Sequence, residues 1–253
     1  MTEAGLLAGR AAFVTGASTG LGRHFALLLA RSGADVAVSA RRAERVADLA
    51  AEIEAMGRRA YACELDVRDA ESIEPAVAAA EAAVGPLGIL VNNAGVTVQK
   101  PAHQMTAEDY DFVVDTNLKG TWFCAQAVGR RMIERGEGGK IVNLGSLLAL
   151  KVIPQLSLYA MTKAAVTQMT KALALEWARY GIQVNALCPG YVETEMNADH
   201  WQTEAGQAFV RKFPRRRVGV PSDLDASLLL LCGPGSDFMT GTILAVDDGQ
   251  TLM

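Results

Sequence analysis

Ser146, Tyr159 and Lys163 are residue types that together can move a proton on and off an oxygen, and all three fall within residues 140–163. The sequence there reads as an apolar strand over residues 141–144, a loop holding Ser146, and a helix that starts near Leu156. Four positions separate Tyr159 from Lys163, which puts them one turn apart on one helix face. Ser146 precedes Tyr159 by thirteen positions, far enough for a strand-end loop to fold back over the helix start. A hydroxyl, a phenol and an ammonium at one point fit carbonyl and alcohol chemistry: the serine holds the substrate oxygen, and the tyrosine gives or takes its proton. A free phenol titrates near ~10 and exchanges protons poorly at neutral pH. An ammonium about 4 Å away, at an effective dielectric of about 20, contributes roughly 4 kcal/mol toward ionisation, about 3 in pKa before desolvation is subtracted. The spacing therefore predicts a phenol brought down toward working pH. Tyr-x-x-x-Lys also arises by chance on surface helices, so the elements around it must decide.

Those elements alternate. Residues 11–15 form an apolar run of strand type, followed by Gly16-Ala17-Ser18-Thr19-Gly20-Leu21-Gly22 and a helical pattern. Glycines between a strand and a helix permit a tight turn and a close approach of backbone N–H groups to a pyrophosphate. A second strand, residues 35–39, leads into Ala40-Arg41-Arg42. A carboxylate at that strand end suits a ribose 2′-hydroxyl, whereas arginine suits a 2′-phosphate. The pattern favours NADP(H) over NAD(H), the plain alternative being two solvated arginines at the next helix start. A third strand, 59–65, runs into Asp66-Val67, where Asp66 either accepts from an adenine amine or serves a turn, and Asp69 is a helix cap. A fourth, 89–91, ends in Asn92-Asn93-Ala94-Gly95. Thr106 with Asp109 opens a long helix expected to carry Asn117 and run to Met132. A sixth strand, 182–187, ends in Cys188-Pro189-Gly190-Tyr191-Val192-Glu193-Thr194, and residues 242–246 close the sheet. The order predicts one α/β domain over residues 1–253, a doubly wound parallel sheet of about seven strands whose ligands collect at the strands' carboxyl ends. Gly16, Arg41, Asp66, Asn92 and Ser146 all fall there.

Residues 191–220 read as a substrate lid with Trp201, Phe209 and Phe213. Leu147, Leu148, Val152, Ile153, Tyr191, Met196 and Trp201 are candidates for a largely apolar pocket, which favours a hydrophobic or aromatic ketone. The basic residues Arg211, Lys212, Arg215, Arg216 and Arg217 are either solvated surface or a dock for an acidic carrier or phosphorylated substrate. A helix over 221–232, capped by Ser222, carries the apolar run 228–231. A net charge of −4 and a pI near 5.5 argue against a nucleic-acid or anionic-membrane partner. No apolar run reaches spanning length, and Cys63, Cys124, Cys188 and Cys232 have no paired or metal-ligand spacing. A cytoplasmic protein with reduced thiols and no metal is the expectation.

Taken together these motifs resemble the short-chain dehydrogenase/reductase family from Ala8 to Gly249. The resemblance implies a tetrad of Asn117, Ser146, Tyr159 and Lys163, in which Lys163 binds the nicotinamide ribose and Asn117 holds a water in a proton relay. It implies cofactor contacts from Gly16, Ser18, Thr19, Gly20, Leu21, Arg41, Arg42, Asp66, Val67, Asn93, Ala94, Gly95, Tyr159 and Lys163, and from Pro189, Gly190, Val192 and Thr194 of the P-G-x-x-x-T motif. Two positions depart from the pattern: Thr19 replaces a basic residue of some NADP-preferring relatives, and Asp247-Asp248-Gly249 replaces D-G-G. Tetramers, or dimers, through the helices bearing Asn117 and Tyr159 and through the last helix and strand are a further implication. The leading expectation is an NADP(H)-dependent enzyme acting on a hydrophobic ketone or a 3-oxoacyl thioester. The alternatives are an NAD-dependent alcohol or sugar/polyol dehydrogenase and a non-catalytic NADP(H)-binding sensor.

Overall fold

A computed structural model describes residues 5–195 and 197–253. Seven strands pair entirely in parallel in the order β3-β2-β1-β4-β5-β6-β7: β1 Ala11–Thr15, β2 Asp35–Ala40, β3 Ala60–Glu64, β4 Leu87–Asn92, β5 Gly139–Leu144, β6 Ile182–Pro189 and β7 Ile243–Val246. The order reverses direction at β1, the switch point where a crevice opens at the strand ends. Helices α1 Gly20–Arg31, α2 Ala43–Ala55, α3 Ala70–Val84, α4 Ala107–Val114, α5 Thr121–Arg135, α6 Ser157–Trp177, α7 Ala198–Gln202, α8 Glu204–Val210 and α9 Asp225–Cys232 fill the connections. The arrangement is the expected Rossmann-like sheet.

The strands are buried on both faces, so their side chains alternate between two cores. In β1, Ala12 and Val14 join the core with Phe25 of α1, Leu49 of α2 and Leu228 of α9. Ala11 and Phe13 point the other way, to Val77 of α3, Val128 of α5 and Leu173 of α6. Leu228, Leu229 and Leu231 are buried within the chain. Leu230 alone of that run is exposed, so three of its four leucines serve the core of this chain. Nor does Ser222 cap an α-helix: a 3-10 turn occupies Pro221–Leu224 and α9 begins at Asp225.

The long helix expected from Thr106 runs through Asn117 and on to Arg135, with a change of winding in its middle. Thr106 and Asp109 form the predicted capping box. A π-helical segment, Asp115–Gly120, then separates α4 from α5. Two hydroxyls brace it, Thr116 Oγ1 donating to the Phe112 carbonyl at 2.8 Å and Thr121 Oγ1 to that of Asn117 at 2.7 Å. A side chain at position 120 would meet Val67 Cγ2 at 2.6 Å, so only glycine lets this turn lie against the end of β3. Such π segments are frequent at functional sites, and this one sets the height of Asn117.

Buried amides lock the central strand ends. Asn92 Nδ2 donates to Asn143 Oδ1 at 2.9 Å, and Asn143 Nδ2 donates to Thr170 Oγ1 at 3.0 Å, tying β4, β5 and α6 together. Each bond contributes about 1 kcal/mol net, and leaving a partner unpaired costs more. All four cysteines are buried free thiols. Among the described residues no helix is long and apolar enough to cross a membrane.

Candidate active site

The turn after β1 is shaped by backbone proximity. Thr15 Oγ1 accepts from the backbone N–H groups of Asn93 and Ala94, both at 3.1 Å, while Asn93 Nδ2 donates to the carbonyls of Thr15 and Gly16, both at 3.0 Å. Gly16 has φ +66°, and a Cβ there would lie 2.7 Å from Ala94 Cα. The loops after β1 and β4 are thus clasped, leaving a cleft of about 640 Å³ above the N-terminus of α1.

That cleft gathers most of the predicted cofactor residues: Gly16, Ser18, Thr19, Gly20, Leu21, Arg41, Arg42, Asp66, Val67, Asn93, Ala94, Gly95 and Thr194. Thr194 sits over Gly20, its Cγ2 3.4 Å from where a Cβ would stand. Pro189, Gly190 and Val192 are not on this wall; Gly190 and Val192 border a separate hollow of about 160 Å³ toward Asp247 and Asp248. The strand end at Ala40 carries no carboxylate. Arg42 Nη2 instead donates to Ser18 Oγ at 2.8 Å and Thr19 Oγ1 at 3.0 Å, spanning the turn after β1. Arg42 is the residue before α2 and makes no side-chain cap bond to it. Val96 and Thr116 also line the cleft and escaped the sequence reading; the irregular loop of the first and the π-helical placement of the second carry no motif.

Beyond Gly95 stand the proton-handling groups; neither Tyr159 nor Lys163, both expected to touch the cofactor, lines the cleft itself. A Cβ on Gly95 would lie 3.4 Å from Asn117 Oδ1 and 3.6 Å from Lys163 Nζ. Lys163 is 4% exposed, and its Nζ donates to the Leu144 carbonyl at 2.6 Å. Burial pulls its pKa from 10.5 down to about 8. Its Nζ is 5.7 Å from the Tyr159 ring centroid. The phenol itself is pushed above its ordinary value, chiefly by burial, with the Ser146 hydroxyl pulling the other way. This corrects the expectation of a phenol already lowered by the lysine: the ammonium is engaged by the Leu144 carbonyl, and desolvation sets the direction at the phenol. Ser146 caps the short turn Leu147–Ala149, its Oγ accepting from Leu148 N at 3.0 Å. Cys188 lies buried beneath Gly145, its thiol pushed up by desolvation, an inert neighbour rather than a nucleophile.

Asn117 is placed beside Lys163, but its side chain is committed elsewhere. Oδ1 accepts from Val96 N at 2.8 Å, and Nδ2 donates to the Val96 carbonyl at 2.9 Å and to Thr162 Oγ1 at 3.1 Å. It clamps the loop after β4 onto α6.

The substrate-side residues divide. Ile153 and Tyr191 are partly exposed, whereas Leu147, Leu148 and Trp201 are buried, at 3%, 4% and 4%. The two leucines pack on Ala160, and Trp201 packs with Val210 and Phe213, so these three give little apolar surface to a ligand. Met196 lies outside the described residues. Tyr191 stacks on Phe213 at 5.3 Å and touches the cluster around Tyr159, joining α7 and α8 to the site. Within the basic run, Arg215 pairs with Asp248, and Arg217 pairs with both Asp248 and Asp223.

The family model of the short chain dehydrogenases matches residues 10–205. Gluconate 5-dehydrogenase of Gluconobacter oxydans is 38% identical over 250 residues, 97% of this chain and 96% of that protein. Galactitol 2-dehydrogenase (L-tagatose-forming) of Cereibacter sphaeroides is 41% identical over the same length, with the same coverage. The crystal structure of a gluconate 5-dehydrogenase from Burkholderia cenocepacia, in complex with NADP and tartrate, superposes with a TM-score of 0.93 at 37% identity, covering 99% of this chain and 98% of that one. With the family model over residues 10–205 and relatives covering nearly the whole chain, this chain belongs to the short-chain dehydrogenase family, an oxidoreductase acting on CH–OH groups.

Proposed function

We propose that the protein is an NADP(H)-dependent dehydrogenase that interconverts a secondary hydroxyl of a polyol or sugar acid with the corresponding ketone. The observation that carries the chemistry is that Lys163 Nζ lies 5.7 Å from the Tyr159 ring, whose phenol bonds with the Ser146 hydroxyl, next to Gly95 of the cleft wall. The cradle fits a dinucleotide: the clasped turn at Gly16 leaves room for backbone approach, and Arg42 beside two hydroxyls suits a 2′-phosphate. The bound structural relative with NADP supports that choice over NAD(H). When bound, the nicotinamide supplies or accepts the hydride. Ser146 holds the substrate oxygen, Tyr159 passes the proton at its hydroxyl, and Lys163 holds the nicotinamide ribose. The side chain of Asn117 keeps the neighbouring loop in place, and the relay falls to the second lone pair of its backbone carbonyl, the first being taken by Thr121 Oγ1.

The substrate class moves away from a hydrophobic ketone or 3-oxoacyl thioester. Burial of Leu147, Leu148 and Trp201 removes three of the seven apolar side chains that favoured it, and the relatives named for gluconate and galactitol support the hydroxylated alternative. Residues 191–220 act as the substrate lid of a single domain. Exposed Trp122 on α5 and Leu175 on α6 support association into a homotetramer, readable by light scattering.

The test is turnover with NADP⁺ and NAD⁺ on polyols and aldonates, and with NADPH on aromatic ketones and 3-oxoacyl thioesters. Polyol or aldonate oxidation with NADP⁺ is expected to dominate. A clear preference for thioesters would overturn the substrate class, and tight NADPH binding with no turnover on any compound would favour the sensor reading.

A further inference from the structure

Asp66 carries an unusual number of bonds from one neighbour. Arg68 Nη2 donates to Oδ2 at 2.6 Å, Nε is 3.0 Å from both Oδ1 and Oδ2, and the Arg68 backbone N–H reaches Oδ1 at 3.1 Å. Three N–H groups therefore hold a carboxylate that has about four acceptor positions. Asp66 lines the cleft together with Val67, while Arg68 stands behind it. The guanidinium is itself fixed: its carbon lies 5.7 Å from the Phe112 ring centroid, and Asp115 adds attraction from the π segment.

We propose that Arg68 is a positioning residue for base recognition, its fork orienting Asp66 so that the one acceptor position left takes the 6-amino group of adenine. This deepens the NADP(H) reading and rests on it. A carboxylate swinging free in the cleft offers acceptors in every direction and costs rotamer entropy to fix on binding. Held by a planar fork, it is ordered beforehand, and a lysine cannot reproduce that because an ammonium is a point charge. Arg68 also keeps the Asp66 carboxyl well below its ordinary range, so the group remains an acceptor throughout the working pH range.

The experiment is equilibrium binding, followed by cofactor fluorescence, of NADPH and of its analogue bearing purine in place of adenine, which lacks only the amine. Wild type is expected to bind NADPH about tenfold or more tightly than the analogue, the scale of one hydrogen bond to a charged group. Arg68→Ala should bring the two within about threefold while leaving the NADPH-to-NADH ratio in place, and Arg68→Lys should not restore the discrimination. A wild-type ratio in Arg68→Ala overturns the proposal, as does full rescue by lysine, which would make the effect one of charge alone. Asp66→Ala separates the layers. Loss of discrimination there with retention in Arg68→Ala sinks Arg68 only, and retention in both, or no discrimination in wild type, removes adenine reading by Asp66 as well. Failure of wild type to bind NADPH removes the cofactor reading beneath. The Arg68 side chain is partly exposed, and Arg68→Gln serves as the second variant should alanine not fold.

Discussion

Lys163 Nζ donates to the Leu144 carbonyl at 2.6 Å, so the ammonium of α6 is anchored to the end of β5 from within the protein. An ammonium with three donors in so dry a place is held at a cost to stability. Its pKa, about 8 against 10.5 in an exposed lysine, corresponds to about 3 kcal/mol of disfavoured charge. Between about pH 8 and 10.5 the unfolded chain binds more protons at this site than the native one, so stability contributed by Lys163 rises with pH across that window. Below about 8 both states are protonated and the full cost persists. Lys163→Met is therefore expected to be more stable than wild type at pH 7, by up to about 2 kcal/mol once the lost hydrogen bond is counted. The gain should shrink toward pH 10.5. Urea unfolding at pH 7 and pH 10 measures it, and a gain that grows with pH would contradict the assigned burial cost.

Tyr159→Phe removes the only hydroxyl assigned to proton transfer while leaving the packing on Leu147 and Leu148 intact. Turnover should fall by about 10²–10⁴-fold in both directions, with NADPH affinity within a few-fold of wild type. Because burial raises the phenol, the protonated form required for ketone reduction persists across neutral pH. Reduction should be flat from pH 6 to 9, and alcohol oxidation, which needs the phenolate, should climb through the alkaline range. An oxidation optimum below pH 7 would assign the base to another group.

The sheet was legible because its strands are short apolar runs bounded by glycine and asparagine, each followed by a helical period. Asp69 and Thr106 cap helices as their residue types require. What could not be read was tertiary in origin. The π segment at Asn117 depends on a glycine meeting Val67 from another layer. The leucines after Ser146 looked like pocket walls because hydrophobicity does not say which way a side chain turns. They turn toward Ala160. Likewise an arginine suited to a phosphate is legible at position 42, but its bonds to Ser18 and Thr19 needed the folded turn.

Arg42→Ala should weaken NADPH binding by about tenfold or more and NADH binding less than about twofold, because a guanidinium fork on a phosphate dianion is lost only with the former. Arg41→Asp, which places a carboxylate near the same site, should raise the KM for NADPH far more than that for NADH. Both are read from steady-state kinetics with the two cofactors. Equal losses for both would move the 2′-phosphate away from these arginines.

Asn117→Ala distinguishes a relay carried by the side chain from one carried by the backbone. The side chain makes three hydrogen bonds, two part-buried ones to Val96 and a buried one to Thr162, and deleting it unpairs the Val96 N–H and carbonyl beside Gly95. Unpaired buried groups cost about 1–3 kcal/mol each and part-buried ones less, so a loss of roughly 1–3 kcal/mol is expected, with weaker cofactor binding as the loop loosens. The Asn117 carbonyl, bonded by Thr121, survives the substitution. Turnover at saturating cofactor should therefore keep the wild-type shape of its pH profile, shifted in height but not in midpoint. A displaced midpoint with unchanged thermal stability would show that the amide itself handles the proton, and the clamp assigned to it here would be secondary.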